Sequence, residues 1–451
     1  MKYSSLIRIL FFLFIGIFLI SCEVDNKPEV YEEGSNKYTN DWIYNQMKKY
    51  YKWNEAMPDK GDLAVNPKEY FSKLLQKDDI YSYAIHPELP ETAPQSIRTK
   101  FGFDVSFIEF QGKFYGVILY VLYDSPAKNN GLLRGQLITK INGAELNIIN
   151  YNNLYKSIIS SSHLDLEITS YSAQSGFADS KEISLLQGYT FGQQINCQVI
   201  EAKNTKIGYI EIPHFDVGQA QLFLEILQDL KSKSITELVL DLRYNGGGDV
   251  SSATALSIIV APNIQSNNLF IKFEGNANGG NVDQSFLQAL QSNESKVSFE
   301  ALRNAHPFIN RIYVLCGNRT ASASELIINN LKPYMNVITI GEKTFGKDVA
   351  GFPIEDDRIS GNRGWVLYPS IYKLFNARHE GDYSKGINPV MIANELQQPE
   401  VFPLGNTSEV LLNQALNAIS GNTSRTKRVT LRSLPLSTIY TDVDPLLRLT
   451  P

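Results

Sequence analysis

Three short apolar runs, each emptying into a turn of small residues, limit this chain more than any other feature. Leu238-Val-Leu-Asp-Leu242 leads to Asn245-Gly246-Gly247-Gly248, Arg311-Ile-Tyr-Val-Leu-Cys316 leads to Thr320-Ala-Ser-Ala-Ser-Glu325, and Val337-Ile-Thr-Ile340 leads to Gly341-Glu-Lys-Thr-Phe-Gly-Lys347. Runs of this length and composition read as buried strands. Ahead of them, residues 206–213 alternate like a strand, and Leu222, Phe223, Ile226, Leu227 and Leu230 follow at helical spacing. Strand, helix, strand, helix implies a parallel or mixed sheet with helices on its faces.

The second turn carries a candidate nucleophile. Ser322 stands among alanines at a strand-to-helix turn, where small neighbours admit a substrate backbone and the helix amino end favours negative charge. A serine hydroxyl needs a base, and none of the five histidines, His86, His163, His214, His306 and His379, lies in a recognisable triad motif. Lys347, in a glycine-flanked and largely uncharged loop one element on, is the better candidate. Such a lysine must be desolvated, because near its ordinary pKa of about 10.4 it would hold its proton. The Gly246-Gly247-Gly248 run has two readings: backbone N–H groups presented to an oxyanion, or a turn or phosphate cradle. No Gly-Lys-Ser/Thr follows it to grip phosphate.

Ser322-Ala-Ser-Glu325, Gly341-Glu-Lys-Thr-Phe-Gly-Lys347, the 25-residue step from Ser322 to Lys347, and Asp241-Leu-Arg-Tyr-Asn-Gly-Gly-Gly248 together resemble the carboxyl-terminal processing, or tail-specific, serine peptidases. The similarity covers roughly residues 95 to 400. It implies a Ser/Lys dyad of Ser322 and Lys347, an oxyanion hole from Gly247 or Gly248 beside the Ala323 N–H, and a crotonase/Clp-protease-like peptidase domain. The implied activity is hydrolysis of peptide bonds in extracytoplasmic proteins with free C-termini, through an acyl-enzyme and without a cofactor. Two positions depart from the family pattern. Where members often place a glutamine or an aspartate to orient the base, this chain has Gly351 and Pro333, which offer no side-chain hydrogen bond. Asp348 and Glu342 are conceivable substitutes, and an inactive, surface-anchored peptide-binding homologue is the alternative function.

The fold class expected is multidomain α+β. Residues 1–22 read as a lipoprotein signal: Lys2 and Arg8 precede an apolar run to Ile20 that ends in Leu19-Ile20-Ser21-Cys22, with Cys22 as the lipidated residue. This places the chain in a bacterial cell envelope, lipid-anchored and facing the periplasm or exterior. Residues 23–40 read as a flexible tether. A helical domain is expected over 41–95, with Asp41 as a helix N-cap and Trp42, Met47, Tyr50, Tyr51 and Trp53 turned inward. Over 96–190 the succession Ser125-Pro-Ala, Gly131-Leu132, Gly135 and Ile141-Asn-Gly143 resembles a PDZ domain. Such domains add a peptide to a sheet edge, and Phe101-Gly102-Phe103 is the matching carboxylate loop, its aromatics expected to crowd the pocket. The peptidase domain is expected over 200–420, with an insertion between Pro262 and Ile309 serving as a lid or a surface excursion, and 421–451 as a loosely ordered tail. Cys197 and Cys316 read as buried free thiols, and no Cys/His cluster has metal-ligand spacing. A net charge of −5 with mixed signs gives no footprint for nucleic acid.

Overall fold

The computed structural model describes residues 29–188, 193–294, 296–359, 361, 364–398, 400–421 and 432–433. The lipidation site Cys22 lies outside the described residues. Helix α1, Asn36–Tyr50, begins inside the expected tether because Ser35, not Asp41, caps it: the Ser35 hydroxyl accepts from Tyr38 N–H at 3.2 Å. Asp41 sits one turn later and pairs with Lys60. Trp42, Met47 and Tyr51 turn inward as expected, whereas Tyr50 and Trp53 stay half-buried. Helix α2, Pro67–Leu74, adds Tyr70 and Phe71 to that core. The region is not self-contained. Strand β1, Tyr83–Ile85, pairs with Val366–Tyr368, and Trp365 and Leu367 complete its apolar cluster.

The next unit is a sheet with helices against it. Helix α3, Ile97–Phe101, leads into β2, Phe103–Phe110, β3, Lys113–Val121, and β4, Leu137–Ile141; helix α4, Tyr151–Ser160, then precedes β5, His163–Thr169, and β6, Lys181–Leu186. The strands pair antiparallel in the order β2-β3-β4-β5-β6. Phe101 and Phe103 do not crowd a pocket; they are fully buried in this unit's core. Gly102, at φ 82°, spends its N–H on the carbonyl of Arg98 at 2.9 Å, ending α3 in the left-handed turn that glycine allows. Within the tail, Arg432–Ser433 pair antiparallel with the outer edge of β2, with Ile108 opposite Ser433.

The largest unit carries the motifs. Its elements are β7, Asn196–Ala202; β8, Thr205–Glu211; α5, Ala220–Ser232; β9, Glu237–Asp241; α6, Val250–Val260; β10, Leu269–Glu274; β11, Asn281–Ser285; α7, Phe286–Gln291; and α8, Phe299–Asn304. After these come β12, Arg311–Cys316; α9, Ala323–Asn330; β13, Asn336–Gly341; β14, Val349–Ala350; β15, Tyr372–Phe375; β16, Met391–Ile392; and α10, Val410–Ile419. The main sheet runs β7-β8-β9-β12-β13-β16, parallel from β8 onward, with Leu240 opposite Val314 and Val314 opposite Thr339. Apolar side chains of α5, α6 and α9 bury one face and those of α10 the other. Each fully buried aliphatic side chain here is worth roughly 1.5–3 kcal/mol. Because β8, β9, β12 and β13 are parallel, their following turns emerge at one edge.

Two expectations fail in this unit. The stretch 262–309 is neither lid nor excursion: β10 and β11 join β15 and β14 in a second sheet, and Phe270, Phe286 and Leu302 are core residues. That sheet holds β14, which begins two residues after Lys347. Cys316 is a buried free thiol, but Cys197 is exposed, because β7 is the outermost strand.

Candidate active site

Ser322 is the residue between β12 and α9, at φ 59° and ψ −118°. A non-glycine residue holds that backbone conformation only where surrounding bonds enforce it. They do so from the neighbouring turn after β9. Ala321 N–H and the Ser324 hydroxyl both donate to Asn245 O, at 3.2 and 3.1 Å, and the Thr320 hydroxyl donates to Leu242 O at 2.8 Å. Asn245 is tied in turn to β8's end through Nδ2 to Ile212 O at 3.0 Å. Ser322 is completely buried, and its Oγ has no hydrogen-bond partner among the described residues.

The glycine turn lies directly against this serine. A Cβ on Gly247 would sit 2.6 Å from Ser322 Cβ, so any larger residue would displace the nucleophile. Gly247 N–H donates to Asn245 Oδ1 at 2.8 Å. Among the described residues, Gly248 N–H donates no such bond. A side chain there would meet Phe215 O at 2.1 Å and the His214 ring at 2.8 Å. His214 thus borders the turn, its Nδ1 2.9 Å from Asp216 Oδ1. Ala323 N–H opens helix α9 and precedes the intrahelical bonds.

Glu325 joins the serine turn to the lysine turn. Its Oε2 accepts Ser322 N–H at 3.0 Å and Lys347 N–H at 2.8 Å. Its Oε1 accepts the Thr344 hydroxyl at 2.5 Å and Gly346 N–H at 2.7 Å. Glu325 is fully buried, and burial pushes its carboxyl up to about 7 against the pull of these four hydrogen bonds. Lys347, at 2% exposure, is among the largest buried side chains of the molecule. Two tyrosines close over the lysine turn: the Tyr81 hydroxyl donates to Gly346 O at 2.9 Å, and Tyr383 is buried beside it.

Ser322, Lys347, Gly247, Gly248 and Ala323 therefore come together at one edge of the sheet, while Phe101, Gly102 and Phe103 belong to the neighbouring unit. Gly351 cannot hold a substitute for the missing glutamine, since a Cβ there would sit 2.2 Å from Pro369 O. Glu342 points away, accepting from Asn394 Nδ2 at 3.1 Å. No pattern in the sequence assigns these tasks to Asn245, Tyr81 or Tyr383. Only Glu325 had a local signal, three residues after a helix-capping serine.

A serine hydroxyl at a strained strand-to-helix turn, close to backbone N–H groups, is the kind of arrangement that acyl transfer uses. Comparison with known proteins supplies the family. The model for Peptidase family S41 matches residues 206–392 and that for the Peptidase S41 N-terminal domain matches residues 38–83. Together they take in more than half of the chain, which belongs to peptidase family S41. Among curated relatives, the carboxy-terminal processing protease CtpA of Bacillus subtilis is 26% identical over 313 residues, 69% of this chain and 60% of CtpA. CtpB of the same organism is 26% identical over 204 residues, 44% of this chain and 36% of CtpB. The chain thus spans less than two thirds of these relatives. A solved structure of an S41-type protease from Bacteroides fragilis is 27% identical, with a TM-score of 0.68 over 88% of this chain and all of that one.

Proposed function

We propose that this protein is a serine endopeptidase in which Ser322 and Lys347 form the catalytic dyad and proteins with accessible C-termini are the substrates. The observation that carries this reading is the shared carboxylate: Glu325 Oε2 binds the backbone N–H of both Ser322 and Lys347. Neutral Lys347 takes the Ser322 proton as Oγ attacks the scissile carbonyl. Desolvation is the condition for that neutrality, and Lys347 is 2% exposed. The oxyanion is received by Gly248 and Ala323 N–H, Gly247 N–H donating to Asn245 Oδ1. Protonated Lys347 then serves the leaving amine, and water releases the acyl group. The names of the curated relatives support C-terminal processing as the kind of cleavage.

The same reading places the chain on a bacterial envelope membrane through lipidated Cys22, with residues 96–190 as a PDZ-like peptide-binding unit. The test is cleavage of an unfolded, tail-exposed protein by the purified full chain beside its Ser322→Ala and Lys347→Ala variants. Cleavage by the parent alone is expected. Cleavage by Ser322→Ala at the parent's rate would refute the nucleophile.

One observation favours a second reading, an inactive homologue that binds peptides at the membrane surface: the position of the orienting glutamine is closed at Gly351 by Pro369 O. The two separate on whether a serine-reactive probe labels Ser322.

A further inference from the structure

The backbone from which the Lys347 side chain leaves is held from two sides. Gly346 lacks a Cβ and stands at φ 105°, so the peptide unit after it can rotate unless bonds from elsewhere restrain it. That unit carries Gly346 O and Lys347 N–H on opposite edges of one plane, and Lys347 Cα is one of its six atoms. On one edge, Lys347 N–H donates to Glu325 Oε2 at 2.8 Å. On the other, Gly346 O accepts Asp348 N–H at 3.1 Å from within the turn and the Tyr81 hydroxyl at 2.9 Å from 265 residues earlier in the chain.

Tyr81 is itself fixed. Its N–H donates to Asp79 Oδ1 at 3.0 Å, and the buried Asp79 also accepts Ser82 N–H at 3.1 Å and the Ser370 hydroxyl at 3.2 Å. Ser370 N–H donates to Ser82 Oγ at 2.8 Å, and β1 follows at once, paired to residues 366–368. The Tyr81 ring stands edge-on to that of Phe345 with centroids 6.0 Å apart, and Phe345 N–H donates to Thr320 O at 2.9 Å, two residues before Ser322. Burial raises the Tyr81 hydroxyl above its ordinary value, and Glu325, Asp348 and Asp79 push the same way, so the phenol keeps its proton and can donate.

We infer that Tyr81 is a positioning residue for the Lys347 base: with Glu325 on one edge and Tyr81 on the other, the 346–347 peptide plane sets the direction in which the lysine side chain leaves the backbone. The inference rests on the Ser/Lys reading. It gives the segment just before β1 a task in the reaction that is carried by the backbone, while the proton transfers stay with Ser322 and Lys347.

The test is Tyr81→Phe, which deletes the hydroxyl, keeps the ring against Phe345 and leaves Gly346 O with its bond from Asp348 alone. Tyr70→Phe is the control, because the Tyr70 hydroxyl makes a bond of the same kind within the helical region, to Lys60 O at 2.6 Å. Steady-state cleavage of an unfolded, tail-exposed protein is measured for the full chain, both tyrosine variants, Ser322→Ala and Lys347→Ala, with melting temperature alongside. Tyr81→Phe is expected to lose roughly 10- to 100-fold in kcat, as displacement of a base by up to about 1 Å predicts. Its KM should stay within about two-fold of the parent, since the loss belongs to the chemical step. Tyr70→Phe is expected to keep the parental kcat with a comparable change in melting temperature. A parental kcat in Tyr81→Phe would overturn the inference, and so would an equal loss of kcat in Tyr70→Phe or a loss confined to KM. If the parent does not cleave, or Lys347→Ala cleaves as fast as the parent, the Ser/Lys reading falls and takes this inference with it. If cleavage requires Ser322 and Lys347 and Tyr81→Phe matches the parent, the inference alone falls.

Discussion

Glu325 and Glu409 are both sealed from water at helix amino ends, and the molecule treats them in opposite ways. Glu325, in the first turn of α9, is held by three backbone N–H groups and the Thr344 hydroxyl. Glu409 caps α10 and receives Arg243 through two bonds, Nη1 to Oε1 at 2.6 Å and Nη2 to Oε2 at 2.8 Å. Arg243 also binds Asp241, and Arg134 of the preceding unit reaches Glu395 at 2.8 Å in the same network. Burial wins at Glu325 and lifts its carboxyl to about 7. At Glu409 burial loses to the guanidinium beside it, and the carboxyl drops to about 2. The lesson is a division of labour: a carboxylate held ionised by a cation where units are clamped together, and a carboxyl raised by burial where chemistry is proposed.

The contrast can be broken from either side. On the Glu325 side, Lys347→Met removes the amine while leaving the turn's backbone bonds. Turnover is expected to fall by roughly 10³-fold or more, with the melting temperature held or raised, as read by steady-state cleavage and calorimetry. On the Glu409 side, Arg243→Met takes from Asp241 and Glu409 the guanidinium that binds both, with Arg134 Nη2 still 3.7 Å from Glu409 Oε1. The expected cost is about 3–5 kcal/mol, visible as lost soluble protein or a much lower urea midpoint.

The pH dependences have opposite signs. Below about pH 4.5 Glu325 is protonated in both states; between there and about 7 only the folded state keeps the proton, so stability falls as pH rises, by on the order of 3 kcal/mol. Glu325→Gln is expected to erase that decline in urea titrations, and a variant that keeps the parent's slope would sink the assignment. Glu409 contributes stability above its ordinary range that is lost as pH falls toward about 2. Its expected share of acid unfolding is of similar size, on the order of 3 kcal/mol. Denaturation of Glu409→Gln between about pH 5 and about 2.5 should show a correspondingly flatter slope.

Ser322 and Lys347 can be proposed from the sequence because each sits in a contiguous turn whose small residues have a chemical reason to be there. Glu325 was quoted as part of a motif, yet its task requires residues 344–347 to fold back onto it, and no local pattern records that. Tyr81 and Tyr383 reach the lysine turn from distant segments and look like any other tyrosines in a chain that has 24. Asp41 and Ser35 are both good cap residues, and the choice between them depends on how far helical backbone extends. The stretch 262–309 looks like an insertion in the sequence because its strand β10 finds its partner β15 roughly a hundred residues later.

The amino-acid sequence by itself determined the alternation of strand and helix, the small-residue turns and the hydroxyl and amine candidates, all set by local sterics and periodicity. Tertiary structure alone decided which glycine N–H is taken by Asn245, which buried carboxyl is raised and which is lowered, and which tyrosines close over the lysine turn. Those outcomes depend on desolvation and on hydrogen bonds between segments far apart in the chain, and both exist only once the sheet edge is assembled.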